Sequence, residues 1–147
     1  MTADVCLDAS VAVKWLLFEE DSDIALRVLA LASDGDLRLV VPPHMPIEVT
    51  SAVYKSARLG RIPRGAALQA LREFQNAPIE VLATPNVAIE AFRFAALIGA
   101  KLPYDSYYLA LAEALGCELL TADREFYDAC RPQGKPVRLL SDYAPTA

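Results

Sequence analysis

The sequence predicts an α/β fold built around a parallel sheet. Three observations carry this. The short apolar runs Val5-Cys6-Leu7, Leu39-Val40-Val41 and Leu119-Leu120 have the length and composition of strands covered on both faces. Stretches with helical periodicity separate them, and such alternation is the pattern of parallel strands joined by right-handed crossovers. Two of the runs also lead to a carboxylate and then directly into a helix, at Asp8 and at Asp123. Ligands of open α/β sheets gather at those carboxyl ends of the strands.

The elements follow in order. After Asp8-Ala9-Ser10, the apolar stretch to Phe18, interrupted by Lys14, predicts a short helix over 11–17. Glu19-Glu20-Asp21-Ser22 reads as a loop and helix start, because Asp and Ser cap and acidic groups favour the positive end of the helix dipole. Ile24, Leu26, Val28, Leu29 and Leu31 carry that helix to about 32, and Ser33-Asp34-Gly35-Asp36 ends it with turn residues. A strand at 39–41 closes on Pro42-Pro43. Pro46 suits the first position of a helix over 46–59, and Gly60 suits its end. Pro63 opens a helix with Ala67, Leu68, Leu71 and Phe74 on one stripe, and Pro78 stops it. A third strand is expected at 79–82. Thr84-Pro85 then reads as a cap and first turn, leading into a helix over 87–98 that Gly99 ends. The helix over 104–115 is apolar nearly all round and is expected to be buried, with Asp105 as its outlier. Strands at 118–120 and 137–140 flank a helix over 124–130, and a short polar tail follows. This makes five strands and seven helices in a single domain over 1–147.

Composition narrows the chemistry. The chain has 147 residues, 54% of them hydrophobic, enough for a substantial core. No apolar run approaches the ~20 residues of a membrane span. The opening Met1-Thr2-Ala3-Asp4 lacks a basic n-region, which argues against a signal peptide. The three cysteines, Cys6, Cys117 and Cys130, lack metal-type spacing, and Cys6 and Cys117 lie in or beside apolar strands. Reduced thiols in a cytoplasmic protein are expected. His44 is the one histidine, so a multi-histidine zinc site is excluded and a Ser-His-Asp triad has little room. The remaining chemistry belongs to carboxylates, hydroxyls and a hard metal. A net charge of −5 opposes generic nucleic-acid binding. Acids gathered at one site and neutralised by a divalent ion remove part of that objection. Lys55, Arg58, Arg61 and Arg64 form a basic group that an ordinary solvated helix face explains equally well.

Four carboxylates fall at the expected rim of the sheet. Asp8 follows the first strand, Glu48 opens the helix after the second, Asp105 opens the buried helix and Asp123 follows the fourth strand. Each alone is explained as a helix cap or a dipole-favoured first-turn acid. Together they repel and raise one another's pKa, a conflict that a divalent cation resolves. Mg²⁺ and Mn²⁺ take oxygen ligands, and Mg²⁺ commonly combines one or two carboxylates with water and substrate phosphate. That arrangement suits phosphodiester hydrolysis.

The residues carry a family likeness over nearly the whole chain. Its markers are Asp8-Ala9-Ser10 with Val11-Ala12-Val13-Lys14-Trp15, then Glu48-Val49, then Tyr104-Asp105-Ser106-Tyr107-Tyr108-Leu109-Ala110-Leu111-Ala112, then Thr121-Ala122-Asp123-Arg124-Glu125-Phe126. In this order and at these separations the chain resembles a PIN-domain ribonuclease, most closely the VapC-type toxins of toxin–antitoxin pairs. The resemblance implies a three-layer sandwich with a five-stranded parallel sheet. It also implies Mg²⁺- or Mn²⁺-dependent cleavage of RNA, a homodimer and a small antitoxin partner. Asp8 and Asp105 would be the principal metal ligands, with Asp123 and Glu48 ligating directly or through water. Ser10 would support them by hydrogen bonding, and Lys14 or Arg124 would reach substrate phosphate. Two positions depart from the family pattern: Ser51, where many relatives carry Asn, and Ser106, where many carry Ala.

Rival readings remain on the sequence alone. A haloacid-dehalogenase-like phosphatase wants a second aspartate two residues after the first, and Ser10 stands there. A receiver-like signalling domain wants adjacent acids after its first strand and a lysine ending the last, whereas Lys135 precedes it. A PIN protein that binds without cutting, or an RNA-processing PIN nuclease outside any toxin–antitoxin pair, keeps the fold and changes the role.

Overall fold

The computed structural model describes residues 2–143. Five strands form one sheet: β1 (Ala3–Leu7), β2 (Leu37–Val41), β3 (Ile79–Val81), β4 (Glu118–Thr121) and β5 (Val137–Leu139). Their order across the sheet is β3-β2-β1-β4-β5, and every neighbouring pair is parallel. Seven α-helices connect them: α1 (Ala9–Leu16), α2 (Ser22–Ser33), α3 (Met45–Arg58), α4 (Arg64–Phe74), α5 (Val87–Ile98), α6 (Tyr104–Leu115) and α7 (Arg124–Cys130). The α/β sandwich expected from the sequence is present, with the expected number of strands and helices.

The order of the strands locates the site. From β1 the chain moves outward to β2 and then β3. It returns through α5 and α6 to β4 on the other side of β1, and continues outward to β5. Right-handed crossovers then put α1 to α4 over one face and α5 to α7 over the other. The direction of progression reverses between β1 and β4, so their carboxyl ends diverge into a crevice. In register, Leu7 lies beside Leu120. Asp8 and Asp123 therefore leave the sheet on either side of that crevice.

The centre of the sheet is fully covered. Cys6, Leu7, Val40, Val41, Leu119 and Leu120 are essentially without solvent access, as are Val11, Val49, Tyr108, Leu109 and Leu111 from the helices above and below. A valine or leucine side chain buried here is worth about 1.5–3 kcal/mol, which explains why these strands show no polar alternation. The buried helix expected over 104–115 is observed as α6, whose residues Ser106 and Tyr108 to Ala112 are all buried.

Several boundaries differ for local reasons. The first helix begins at Ala9, two residues earlier than expected, because extended backbone at Asp8 already ends the strand and starts the turn. Pro46 is the second residue of α3, not the first; its missing N–H costs nothing anywhere in the opening turn. Thr84-Pro85 does not open α5. That helix starts at Val87, behind Asn86 in a left-handed conformation (φ 61°) that Asn tolerates. The last strand ends at Leu139, one residue earlier than expected, and Leu140–Asp142 is a 3-10 turn where the strand end and the start of a polar tail were expected. The rest of that tail, 144–147, lies outside the described residues, as does Met1. Cys6 and Cys130 are buried and Cys117 half-buried, all with free thiols.

Ser106 carries a testable cost. Its hydroxyl is fully buried, and among the described residues it alone has a buried side-chain oxygen without a hydrogen-bond partner. An orphaned hydroxyl loses its water without compensation, and alanine also favours the helix interior. Ser106→Ala is expected to stabilise the fold by about 1 kcal/mol, read as a higher urea midpoint at unchanged slope. A lower midpoint would show that the hydroxyl is satisfied in solution.

Candidate active site

Asp8 occupies the N-cap position of α1, yet its side chain makes no capping hydrogen bond. Its backbone N–H instead extends the sheet, donating to the Leu120 carbonyl at 3.0 Å. The carboxylate is only 5% exposed. Its Oδ2 accepts from the Ser10 hydroxyl at 2.6 Å and from the Thr121 hydroxyl at 2.8 Å. Both hydroxyls are themselves fixed by backbone: Ser10 Oγ accepts from Ala122 N–H at 2.9 Å, and Thr121 Oγ1 from Asp123 N–H at 3.1 Å. Burial pushes the Asp8 carboxyl up, the two hydroxyls pull it down, and the charges of Glu48 and Asp123 push it up again; the net direction is upward.

Glu48 is held differently. It lies in the first turn of α3, where its Oε1 accepts from the Tyr108 hydroxyl at 2.7 Å and sits 3.1 Å from His44 Nε2. The same nitrogen is 3.1 Å from the Tyr104 carbonyl oxygen. The His44 ring packs against Tyr107 edge-on, with centroids 5.5 Å apart, and against Tyr108 at 4.8 Å. Burial alone raises the Glu48 carboxyl, but the bonds from His44 and Tyr108 outweigh it, and its pKa lies below the ordinary value. Burial likewise lowers His44, and the Glu48 bond and charge reverse this to a net rise. An ionised glutamate accepting from the His44 Nε2–H is the consistent pair.

Asp105 and Asp123 complete the rim. Asp123 caps α7, its Oδ1 accepting from Phe126 N–H at 3.0 Å. Asp105 is half-buried in the first turn of α6. Burial, and then the charges of Asp8, Asp123 and Glu48, push its carboxyl up to about 7. The fold thus brings all four sequence-identified acids into one field, and Asp105 registers their crowding most.

The donor set suits a hard divalent cation, because every acidic group offers oxygen and mutual repulsion rewards added positive charge. Among the described residues, no three His, Cys, Asp or Glu side chains form a preassembled cage. The acids line an open rim, an arrangement compatible with an ion that retains much of its water, as Mg²⁺ does. Ser10 donates to Asp8, so the second acid of a haloacid-dehalogenase-like site is replaced by a hydroxyl that positions the first. Lys14 turns away from the acids: its Nζ donates to the Glu20 carbonyl at 2.7 Å and lies 3.5 Å from Glu19 Oε1. Arg124 is exposed at the start of α7, beside Asp123. Sequence reasoning missed Thr121, His44 and Tyr108 as partners of the acids. Thr121 was findable, two residues before Asp123 at a strand end, and so was His44, four residues before Glu48 at the same helix start; Tyr108 depends on tertiary packing.

The raised Asp105 carboxyl makes stability depend on pH. Its folded pKa of about 7 exceeds its ordinary 3.8, so between those values the folded chain binds the extra proton and stability falls as pH rises. Asp105→Asn mimics the protonated form. In chelator, it is expected to raise the urea midpoint more at pH 8 than at pH 5. Equal gains at both pH values would contradict the raised Asp105 carboxyl.

Comparison with known proteins agrees with this geometry. A family model described as the PIN domain matches residues 5–132. Ribonuclease VapC3 of Pyrobaculum aerophilum is 34% identical over 122 residues, covering 81% of this chain and 88% of that protein. A crystal structure of a Pyrobaculum aerophilum protein superposes with a TM-score of 0.65 at 27% identity, covering 88% of this chain and 86% of the other. VapBC2 from Rickettsia felis, solved bound to a DNA fragment from its promoter, shares the fold at a TM-score of 0.65 and 15% identity, covering 92% and 98%. The chain belongs to the PIN-domain family, alongside the VapC ribonucleases.

Proposed function

We propose that this VapC-like chain is a metal-dependent endoribonuclease and the toxin of a toxin–antitoxin pair, hydrolysing RNA phosphodiester bonds at the β1–β4 crevice. The observation that carries the reading is the shared field of Asp8, Glu48, Asp105 and Asp123, with Asp8 buried and held by two hydroxyls in place of capping its helix. The relative named ribonuclease VapC3 supports RNA as the substrate. The two-component VapBC2 assembly supports a small protein partner, and the acidic crevice suits one that brings arginine. A cytoplasmic homodimer completes the proposal; among the described residues no helix is long and apolar enough to cross a membrane.

Asp8 and Asp105 would hold Mg²⁺ or Mn²⁺, with Asp123 and Glu48 ligating directly or through water. Such an ion supplies positive charge to the phosphodiester oxygens and acidifies water. The chain's own groups do the positioning. Ser10 and Thr121 fix which oxygen of Asp8 faces inward to them and leave the other for the crevice. Tyr108 and His44 keep Glu48 ionised, so it can orient attacking water at neutral pH. The Asp123 cap fixes that carboxylate to the start of α7.

End-mapped cleavage of total RNA, including ribosomes and tRNA, tests the reading in Mg²⁺, Mn²⁺ and chelator. Discrete cuts are expected with either ion and none in chelator. Asp8→Asn and Asp105→Asn should each lower the rate at least 100-fold with the fold retained. A variant cutting at wild-type rate would sink the assignment. Removing one hydroxyl, by Ser10→Ala or Thr121→Val, is expected to cost about 10- to 100-fold in metal affinity or rate, as for other groups that orient ligating carboxylates. Calorimetric Mn²⁺ binding unchanged in both, at unchanged rate, would remove them from that role.

A further inference from the structure

We infer that the cavity between the α5–α6 turn and α7 is a nucleotide subsite that selects the RNA base beside the scissile phosphate. This rests on the ribonuclease reading and adds to it the residues that set specificity. The cavity holds about 430 Å³, and Asp105 and Asp123 stand in its wall, so it is continuous with the acidic crevice. Small-ligand pockets span about 300–1,000 Å³. By contrast, the cavity at the other end of the sheet, beside Asp4, Glu118 and Pro136, includes none of the four acids. Neither does the groove between α3 and α4.

The walls match a base. Ile98, Leu102, Phe126 and Ala129 supply apolar surface, and Leu102 is 63% exposed at the turn. Lys101 and Glu125 also line the cavity, an ammonium donor and a carboxylate acceptor. RNA specificity is read mainly on unstacked bases, through apolar faces and hydrogen bonds to their edges. A carboxylate accepts from an exocyclic amino group, and a lysine donates to a base carbonyl. A free anion gains little here, because Asp105, Asp123 and Glu125 outnumber Lys101. A nucleotide whose neighbouring phosphate is held at the crevice is delivered to the cavity by its own covalent link. That geometry favours a single-stranded RNA substrate over a small phosphorylated metabolite.

Two measurements test the subsite. Cut-site mapping compares wild type with Ala129→Leu, which narrows the cavity, and Lys101→Gln and Leu102→Ser, which alter exposed turn residues without threatening the core. Wild-type cuts are expected to share a nucleotide at one flanking position. Each variant should lower relative cutting at that nucleotide at least fivefold. The wild-type cut distribution retained in all three would overturn the inference while leaving the ribonuclease reading intact. In parallel, uncharged adenosine, guanosine, cytidine and uridine are titrated into the isotope-labelled full chain without metal. Saturable shifts are expected at the amides of Lys101, Leu102 and Ala129 with at least one nucleoside. If wild type cuts no RNA, the ribonuclease reading fails by itself, and absence of those shifts then overturns the subsite as well.

Discussion

A buried carboxylate at a strand end sets the terms for everything around it. Asp8 has almost no solvent, and the nearest compensation comes from two hydroxyls on different segments, Ser10 and Thr121. Those hydroxyls are in turn tied to backbone N–H groups at the end of β4. The pairing of β1 with β4 is therefore both a sheet contact and the frame of the acidic crevice. A buried ionised group without such partners would be prohibitively costly. The register that places Leu7 beside Leu120 supplies those partners.

The four acids are not equivalent. Asp8 is constrained by hydroxyls, Asp123 by its capping bond, and Glu48 by Tyr108 and His44. Asp105 has the least compensation, so burial first and then the repulsion of the others push it upward. One fold thus tunes a set of chemically similar groups in opposite directions, Glu48 downward and Asp105 upward. Separation of this kind marks functional sites, because surface carboxylates rarely feel several like charges at once.

Much of this was legible in the chain. The strand–carboxylate–helix pattern at Asp8 and Asp123 exposed the sheet, its carboxyl rim and two of the acids, because buried strands need continuous apolar runs. Glu48 and Asp105 followed from their place at helix starts, although neither position alone distinguishes dipole support from chemistry. What decided Asp8 was invisible in sequence: whether its side chain caps or turns inward. The packing that brings Tyr108 to Glu48 spans sixty residues of chain, beyond any local periodicity. The misassigned cap of α5 has a similar origin. Thr84-Pro85 is a fair cap by composition, and the left-handed turn at Asn86 overrides it.

Both outer strands of the sheet are only three residues long. So short a margin offers little unpaired backbone for another chain to extend, and it protects the sheet from growing sideways. Apolar side chains do remain outside, Ile47 and Tyr54 on α3 and Ile89 and Phe92 on α5. Edge-to-edge pairing of this sheet with another chain is thereby disfavoured, and the exposed apolar surface is left to the helical layers, where side-chain shape, more than backbone pairing, governs fit.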